Sequence, residues 1–399
     1  MHVVKLKKGK EKAVKQLHPW VFSGAIETVN GHPVNGEIII VNDNKDIFLA
    51  YGFYNNQSRV AVRLLEWDEK IIVNENWWRK RIQKAIKARS KLLLDTNTNT
   101  YRLIFSEADF LPGLIVDRFS DFLSVQILTS GIEHHKEIIL DELELLLKPS
   151  GIFDRSDSSA REHDGMTASN GKLLRGLQPP EYVTVKENGV LYDVDITSGQ
   201  KSGFYCDQRD NRRIVAEYCK DKKVLDCFSY SGGFSLNALK NHASEVTSID
   251  SSASALDTLK RNLDINNFKE LNHKIIQSDV NKQLRAFREN GEKFDLIILD
   301  PPKYAPSRSA VNKASRAYKD LNRQALLLLN EGGLLATFSC SGAVDMTTFK
   351  QILAWAALDA GKQVQFINQF SQPEDHPIRS SFPEGEYLKG LLCRVFSFI

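Results

Sequence analysis

The fold is decided by the stretch Phe294-Asp-Leu-Ile-Ile-Leu-Asp300-Pro301-Pro302-Lys303. Its apolar run has the length of a buried strand, and it ends on a carboxylate followed by two prolines that fix φ and stiffen the turn. A second such run, Gly333-Leu-Leu-Ala-Thr-Phe-Ser339-Cys340-Ser341-Gly342, ends on a thiol. Because ligands of α/β sheets bind beyond the carboxyl ends of parallel strands, we expect Asp300 and Cys340 to emerge side by side.

Strands and helices alternate before this stretch, from about Val183 onward. The predicted strands span residues 223–226, 245–250 and 273–277, and a helical pattern follows each of them. Alternating βα units of this length predict an α/β fold with a doubly wound parallel sheet.

The N-terminal half has a different pattern. Residues 1 to about 72 read as short strands separated by turns, which predicts a small β-barrel. A helix is predicted from Asn76 to about Leu94, and two strands and a helix up to Leu147 predict a small α+β element. Between Ser156 and Pro180 the pattern dissolves into polar residues, so we expect a loop and a domain boundary there.

The composition is that of a globular protein. The chain has 399 residues, 42% of them hydrophobic and 26% charged, which is enough for two or three domains. Since no apolar run approaches the length of a membrane span or a secretory signal, we expect a cytoplasmic protein. The scattered cysteines without CxxC spacing indicate neither a disulfide framework nor a zinc site, so no metal is expected. They are Cys206, Cys219, Cys227, Cys340 and Cys393.

The positive charge is concentrated at the N-terminus. Residues 1–90 contain 16 Lys and Arg against 9 Asp and Glu, although the net charge of the whole chain is only +3. The first fifteen residues contain six lysines and one glutamate, Glu11. Such a cluster can neutralise phosphates of a nucleic acid, but for a lysine cluster alone a solvated basic tail is the favoured explanation.

A glycine-rich turn follows the first strand of the alternating region. The turn runs Asp226-Cys-Phe-Ser-Tyr-Ser-Gly232-Gly233-Phe and opens a helix. A dinucleotide-binding turn would have the pattern G-x-G-x-x-G and donors for a pyrophosphate, whereas a carboxylate at this position repels phosphate and attracts an ammonium group. S-adenosylmethionine carries an amino group and no phosphate, so we predict that it is the cofactor and that it contacts Asp226, Phe228, Ser229, Gly232 and Gly233.

Two further aspartates follow the next strands. Asp250 and the adjacent Ser251 suit the ribose hydroxyls of the cofactor, and Asp279 suits the edge of its adenine. Any one of these aspartates could simply cap a helix. Three of them at successive strand ends favour a binding site.

The pair of Asp300 and Cys340 indicates chemistry on a cytosine ring carbon. Carbon 5 of cytosine is a poor nucleophile until a thiolate has added to carbon 6, so methylation there requires a cysteine beside the base. Cys340 has the right position, although most cysteines only fill space in a core, which is the interpretation we give the other four. Asp300 would bind the N3/N4 edge of the base. Enzymes that methylate exocyclic amines usually have an aromatic residue directly after the two prolines, whereas Lys303 stands here.

These motifs resemble the bacterial RNA 5-methylcytosine methyltransferases that modify large-subunit ribosomal RNA. The resemblance covers the chain from end to end. The stretches that carry it are 18–24, 107–118, 199–212, 226–234, 300–303, 337–342, 375–377 and 386–390.

The resemblance implies a fold and a set of roles. It implies a PUA RNA-binding domain over residues 1–72, a central α+β domain over 73–180 and a Rossmann-like class I methyltransferase domain over 181–399. It also implies that Gln208 and Arg209 help to close the cofactor site and that ribosomal RNA is the partner. The resemblance is compatible with a homodimer, and the sequence leaves the oligomeric state open. Wider relatives carry a second cysteine after the two prolines for product release, and Lys303 occupies that place here.

Three other functions compete with this interpretation. A non-catalytic RNA-binding protein would not need the intact residues Asp226, Asp250, Asp300 and Cys340. A nucleic-acid amino-group methyltransferase would use Asp300 as a hydrogen-bond acceptor without a covalent adduct. A dehydrogenase would need the missing phosphate-binding glycine pattern.

Overall fold

The computed structural model describes residues 1–169, 171–199, 203–305 and 307–398. The chain divides into two compact units of discontinuous segments. Unit 1 consists of Met1–Val185, Val194–Cys206 and Glu374–Gly385, and unit 2 consists of Lys186–Asp193, Asp207–Pro373 and Glu386–Ile399. The predicted domain boundaries at residues 72 and 180 both fall within the first segment of unit 1 and stay predictions.

The first eleven strands and six helices belong to unit 1. The strands are β1 (Val3–Leu6), β2 (Trp20–Phe22), β3 (Ile26–Asn30), β4 (Ile38–Asn42), β5 (Phe48–Tyr54), β6 (Val60–Glu66), β7 (Thr100–Phe105), β8 (Leu114–Phe119), β9 (Phe122–Ile127), β10 (Gly151–Asp154) and β11 (Lys172–Gly176). The helices are α1 (Lys12–Lys15), α2 (Glu75–Lys87), α3 (Ser90–Leu93), α4 (Ser130–His134), α5 (Lys136–Leu147) and α6 (Ser158–His163).

The first sheet of unit 1 has six strands in the order β2-β6-β5-β4-β1-β3. Neighbouring strands are antiparallel except β1 and β4, which are parallel. Alternate residues such as Val4, Leu6, Ile39 and Val41 are fully buried in one apolar core, as expected for strands with one face turned inward. The prediction of an N-terminal β domain is confirmed.

The second sheet of unit 1 has the order β11-β10-β9-β8-β7. Buried side chains of α2 and α5 share one apolar cluster with this sheet, among them Trp78, Ile82, Leu140 and Leu143. The helices predicted around residues 76–94 and 133–147 are confirmed, each with a break that makes α3 and α4 separate short helices.

The prediction of a loop between Ser156 and Pro180 is wrong in part. The segment contains α6, whose first turn is capped by Asp157, since the side chain of Asp157 accepts a hydrogen bond from the Ala160 backbone N–H at 2.9 Å. It also contains β11, which pairs antiparallel with β10 at the edge of the sheet. An edge strand that is mostly exposed has no apolar alternation, so it leaves no signal in the sequence.

Asp164 in this same segment joins several parts of unit 1. Its carboxylate is buried and accepts hydrogen bonds from Arg63 at 2.7 Å and from the Ser130 backbone N–H at 2.9 Å. Its backbone carbonyl accepts a hydrogen bond from the Asn55 side chain at 2.8 Å. Arg63 lies on β6 of the first sheet, and Ser130 begins α4, which follows β9 of the second sheet. Asp164 therefore connects the first sheet to α4.

The remaining strands and helices follow in chain order. The strands are β12 (Val183–Glu187), β13 (Val190–Val194), β14 (Lys223–Cys227), β15 (Glu245–Asp250), β16 (His273–Gln277), β17 (Phe294–Leu299), β18 (Leu329–Ser339), β19 (Lys362–Ser371) and β20 (Lys389–Ser397). The helices are α7 (Arg209–Ala216), α8 (Gly233–Lys240), α9 (Ala253–Ile265), α10 (Val280–Glu289), α11 (Val311–Leu328) and α12 (Met346–Ala360).

A seven-stranded sheet forms the centre of unit 2, in the order β16-β15-β14-β17-β18-β20-β19. The first five strands are parallel, and β20 is antiparallel to both of its neighbours, β18 and β19. The predicted α/β fold with a doubly wound sheet is confirmed, and β17 and β18 are neighbours as expected. The carboxyl ends of β14, β15, β17 and β18 therefore meet at one edge of the sheet.

The longest helix, α11, is amphipathic. It has 18 residues, of which Tyr318 and Leu321 are buried in the core of unit 2 while Lys313 and Arg316 are exposed. Within the described part of the chain, none of the helices combines the length and the apolar character that a membrane crossing requires.

We predict that Asp164→Asn destabilises the protein by about 3 kcal/mol, because it removes one partner of a buried ion pair and leaves the guanidinium of Arg63 without its counter-charge. The free energy of unfolding from urea denaturation measures this.

The matched control is Asp141→Asn. Asp141 is exposed on α5 and forms a 3.6 Å ion pair with Arg175, so its loss should change the stability by less than about 0.5 kcal/mol. Equal effects of the two substitutions would contradict the role given to Asp164.

Candidate active site

The turn after β14 has an unusual backbone. Phe228, Tyr230 and Gly232 have φ angles of 63°, 48° and 87°, all in the left-handed region. A Cβ atom on Gly232 would also lie 2.1 Å from the Cδ1 atom of Leu259, so only glycine fits at that position. The turn is held to the next strand, since the Ser229 backbone N–H donates to the carbonyl of Ile249 at 3.0 Å.

Asp226 lies buried beneath this turn. One carboxylate oxygen accepts hydrogen bonds from the Ser235 backbone N–H at 3.0 Å and from the Ser235 hydroxyl at 2.6 Å. The other oxygen, Oδ1, is buried and has no hydrogen-bond partner among the described residues. Burial raises the pKa of Asp226 to about 7.

An unpartnered buried carboxylate oxygen is costly and is expected to receive a donor from a ligand. An ammonium group meets this need with both a hydrogen bond and a positive charge, whereas a phosphate would be repelled. The side chain of Ser229 offers a second buried oxygen without a described partner in the same turn. The residues present therefore fit the amino end of S-adenosylmethionine.

Asp250 ends β15 next to this turn. Its two carboxylate oxygens accept hydrogen bonds from the backbone N–H groups of Tyr230 and Ser252, each at 2.9 Å. Each oxygen keeps a further lone pair, so Asp250 can fix the turn and still accept from ribose hydroxyls. Ser251 beside it is exposed. Ribose contacts of Asp250 and Ser251 stay a prediction.

Asp279 has a structural role at the end of the third strand. It is exposed and caps α10, since its side chain accepts a hydrogen bond from the Lys282 backbone N–H at 2.9 Å. Capping is the simpler of the two roles that the sequence allowed for this residue. A contact between Asp279 and adenine stays a prediction.

Gln208 and Arg209 lie buried at the start of α7. The Gln208 amide donates to Asp300 at 3.0 Å, and its carbonyl oxygen accepts from the Asn211 amide at 2.7 Å. The Arg209 guanidinium donates to Asp210 at 3.2 Å. Gln208 thus fixes the orientation of Asp300, a contact across 92 residues that no sequence motif indicates.

The Asp300 carboxyl lies directly after β17 in an environment that disfavours its charge. Burial and, to a smaller extent, the nearby Asp207 carboxylate raise the pKa of Asp300 to about 7, although the Gln208 hydrogen bond opposes this. At neutral pH the group is present in both protonation states. It can therefore donate or accept a hydrogen bond, which is a property of acid–base residues in active sites.

Cys340 follows β18, the neighbour of β17. Its Sγ atom lies 3.9 Å from the carbonyl oxygen of Pro301 in the Asp300-Pro301-Pro302 turn. Cys340 is partly exposed, whereas the other four cysteines are buried. The structure thus brings Cys340 beside the turn of Asp300, as the strand order predicted.

A serine network connects the two turns. The Ser341 hydroxyl oxygen accepts a hydrogen bond from the Ala305 backbone N–H at 3.1 Å and lies 3.1 Å from the Tyr318 hydroxyl. The Ser339 hydroxyl in turn donates to Tyr318 at 2.9 Å. The hydroxyl of Tyr318 comes from α11 and has no signal in the sequence, because an aromatic residue at helical spacing is usually only a core residue.

Metal ligands are not gathered at this site. Among the residues that the structure describes, no group of three or more His, Cys, Asp or Glu side chains could hold a metal ion. The functional groups of the candidate active site are carboxylates, a thiol and hydroxyls.

Two family profiles match the chain. A PUA-like domain matches residues 4–67, and an S-adenosylmethionine-dependent methyltransferase domain matches residues 158–394. The second match contains all of the predicted cofactor and catalytic residues.

Curated relatives match over almost the whole chain. The ribosomal RNA large subunit methyltransferase I of Photobacterium profundum is 44% identical over 391 residues, which cover 98% of each chain. The protein of the same name from Escherichia coli O139:H28 is 43% identical over 390 residues, again 98% of each chain.

Solved structures share the fold. SMU.776, solved in complex with SAH, has a TM-score of 0.86 at 22% identity and covers 99% of this chain and 100% of that one. A candidate SAM-dependent methyltransferase from Streptococcus mutans has a TM-score of 0.84, also at 22% identity, with the same coverage.

We predict that Asp226→Asn weakens S-adenosylmethionine binding at least tenfold, because the amide lacks the charge that pairs with the ammonium group. Binding should also weaken as the pH falls below about 7, since Asp226, with its pKa raised to about 7, then takes up a proton. Isothermal titration calorimetry at several pH values measures both effects.

The matched control is Asp257→Asn on the exposed face of α9, which should leave the affinity unchanged. An Asp226→Asn protein that is folded and binds S-adenosylmethionine as tightly as the unmodified protein would contradict the assignment.

Proposed function

Because the chain belongs to the family of S-adenosylmethionine-dependent methyltransferases that includes ribosomal RNA large subunit methyltransferase I, we propose that it forms 5-methylcytosine in large-subunit ribosomal RNA. The observation that carries the proposal is the position of Cys340, whose Sγ atom lies 3.9 Å from the turn that holds Asp300. A thiol and a carboxyl with a raised pKa on neighbouring turns are the groups that carbon-5 methylation needs.

Cys340 acts as the nucleophile in this proposal. Its thiolate adds to carbon 6 of the cytosine, and a C–S bond forms while the ring electrons move to give a nucleophilic carbon 5. After carbon 5 has gained a methyl group, its proton leaves to a base, the C–S bond breaks and the thiolate is released. Cys340 is partly exposed, as a nucleophile must be if it is to reach a cytosine of the bound RNA.

Asp300 stabilises the adduct. In its protonated form it donates a hydrogen bond to N3 of the ring, where negative charge develops when the thiolate adds to carbon 6. The raised pKa of Asp300, about 7, keeps a large fraction of the group protonated at neutral pH. Gln208 holds the carboxyl in place through its 3.0 Å hydrogen bond.

The cofactor supplies an electrophilic methyl group on a sulfonium centre. Asp226, with its buried unpartnered oxygen, would bind the amino end, and the left-handed turn of Phe228 to Gly232 would line the site. The rest of the predicted cofactor-binding set consists of Gln208, Arg209, Asp250, Ser251, Asp279 and Asp300.

The N-terminal domain binds the RNA in this proposal. The PUA-like match covers residues 4–67, and the six lysines of the first fifteen residues supply charge for phosphates. A location in the cytoplasm, where ribosomal RNA is found in bacteria, and a homodimer, with which the family resemblance is compatible, are further parts of the proposal.

We predict that ribosomal RNA containing 5-fluorocytidine traps the protein as a covalent adduct in the presence of S-adenosylmethionine. Fluorine at carbon 5 cannot leave as a proton does, so the C–S bond to Cys340 cannot break. The adduct survives denaturation and is measured as a band of lower mobility on a denaturing gel.

Two variants decide the result. Cys340→Ala should abolish the adduct, and Cys393→Ala, which removes a thiol buried in β20, should retain it. RNA that is methylated without trapping would favour amino-group methylation with Asp300 as the acceptor. An adduct that persists in Cys340→Ala would contradict the assignment of Cys340 as the nucleophile.

A further inference from the structure

A buried lysine lies behind Cys340 and has no part in the mechanism described above. Lys389 is the first residue of β20, and its backbone pairs with that of Ser339 on β18 and Ser371 on β19. Its side chain is almost completely buried. A buried lysine is rare unless its charge has partners, so its position calls for a physical explanation.

The ammonium group of Lys389 holds the turn that carries Cys340. Its Nζ atom donates to the carbonyl oxygen of Ser341 at 3.0 Å and to that of Tyr387 at 2.8 Å. The hydroxyl of Ser341 is fixed from the other side by Ala305 and Tyr318. The residue next to Cys340 is therefore anchored through both its backbone and its side chain.

The charge of Lys389 also reaches Cys340. Burial lowers the pKa of Lys389, and the nearby acidic groups, with Cys340 among them, oppose this shift. Such an interaction is mutual, so the ammonium favours the negative form of the thiol. Glu386, Asp345 and Lys303 also act on the charge of Lys389, and the Tyr318 hydroxyl interacts electrostatically with Cys340.

We propose that Lys389 is a positioning residue for Cys340: it fixes the turn of the thiol through the Ser341 carbonyl, and its positive charge favours formation of the thiolate. The inference rests on the proposed role of Cys340 as the nucleophile. An ordinary cysteine is only a few per cent thiolate at neutral pH, so a neighbouring cation has a direct effect on its reactivity.

Two carbonyl oxygens could be satisfied by a neutral donor. A purely structural role for Lys389 would therefore depend on its hydrogen bonds and leave the reactivity of Cys340 unchanged. The proposed role requires the positive charge. The two roles differ in how fast Cys340 reacts at each pH.

The test is the rate at which iodoacetamide alkylates Cys340 in the absence of RNA, from about pH 6 to about pH 9. The thiolate displaces iodide, so the rate follows the thiolate fraction. Since the other four cysteines are buried, Cys340→Ala gives the background rate, and mass spectrometry locates the modification. In the unmodified protein we expect a midpoint below the usual value of about 8.5.

Lys389→Met keeps the apolar stem and removes the charge. We expect its midpoint to rise by about one unit, so that alkylation near pH 7 slows roughly tenfold, and Lys389→Arg to keep the midpoint of the unmodified protein. Binding of S-adenosylmethionine to each variant shows that unit 2 is folded.

A folded Lys389→Met protein with an unchanged midpoint would overturn the proposal. If that variant does not fold, the unmodified protein still decides, because an ordinary midpoint for Cys340 excludes a stabilised thiolate. The experiment uses no RNA. A failed RNA trap would therefore count against the proposed function and leave the alkylation result standing.

Discussion

The parallel pairing of β17 and β18 is the constraint on which the site depends. Leu296 to Leu299 of β17 pair in register with Leu334 to Thr337 of β18, and all of these residues are buried. Because consecutive residues of both strands are buried, both faces of the pair are closely packed, and a shift in register would disrupt that packing on two sides; the turns after the two strands therefore have fixed neighbours. The Ser341 hydroxyl then joins them by accepting from the Ala305 backbone, so the position of the thiol follows from the packing of the sheet.

The site concentrates groups whose charge is expensive to bury. Burial raises the pKa values of both Asp226 and Asp300 to about 7, and the negative charge of Asp226 adds to the shift at Asp300. Gln208 offsets part of this cost at Asp300 by donating a hydrogen bond. Buried ionisable groups of this kind stabilise the fold less than apolar residues would. Groups with such perturbed pKa values are typical of ligand-binding and active sites.

The alternating region could be predicted well from the sequence, and the contacts within the site poorly. The strands Glu245–Asp250 and His273–Gln277 were predicted to the residue, because β-branched residues and the regular βα alternation indicate them. The edge strand β11 (Lys172–Gly176) was missed because it has no β-branched residue and lies in a segment of polar residues and glycines. Gln208 reaches Asp300 across 92 residues and Lys389 reaches Ser341 across 48, and such tertiary contacts between separate motifs cannot be inferred from spacing.

The burial of four of the five cysteines determines which thiol of the protein is open to oxidation. Burial raises the pKa values of Cys219, Cys227 and Cys393, so these thiols stay protonated and resist oxidation. Peroxide therefore meets one accessible thiol, that of Cys340, and its first product is a reversible sulfenic acid. If Cys340 is the nucleophile, as proposed, this oxidation would stop methyl transfer, and reduction by a thiol would restore it.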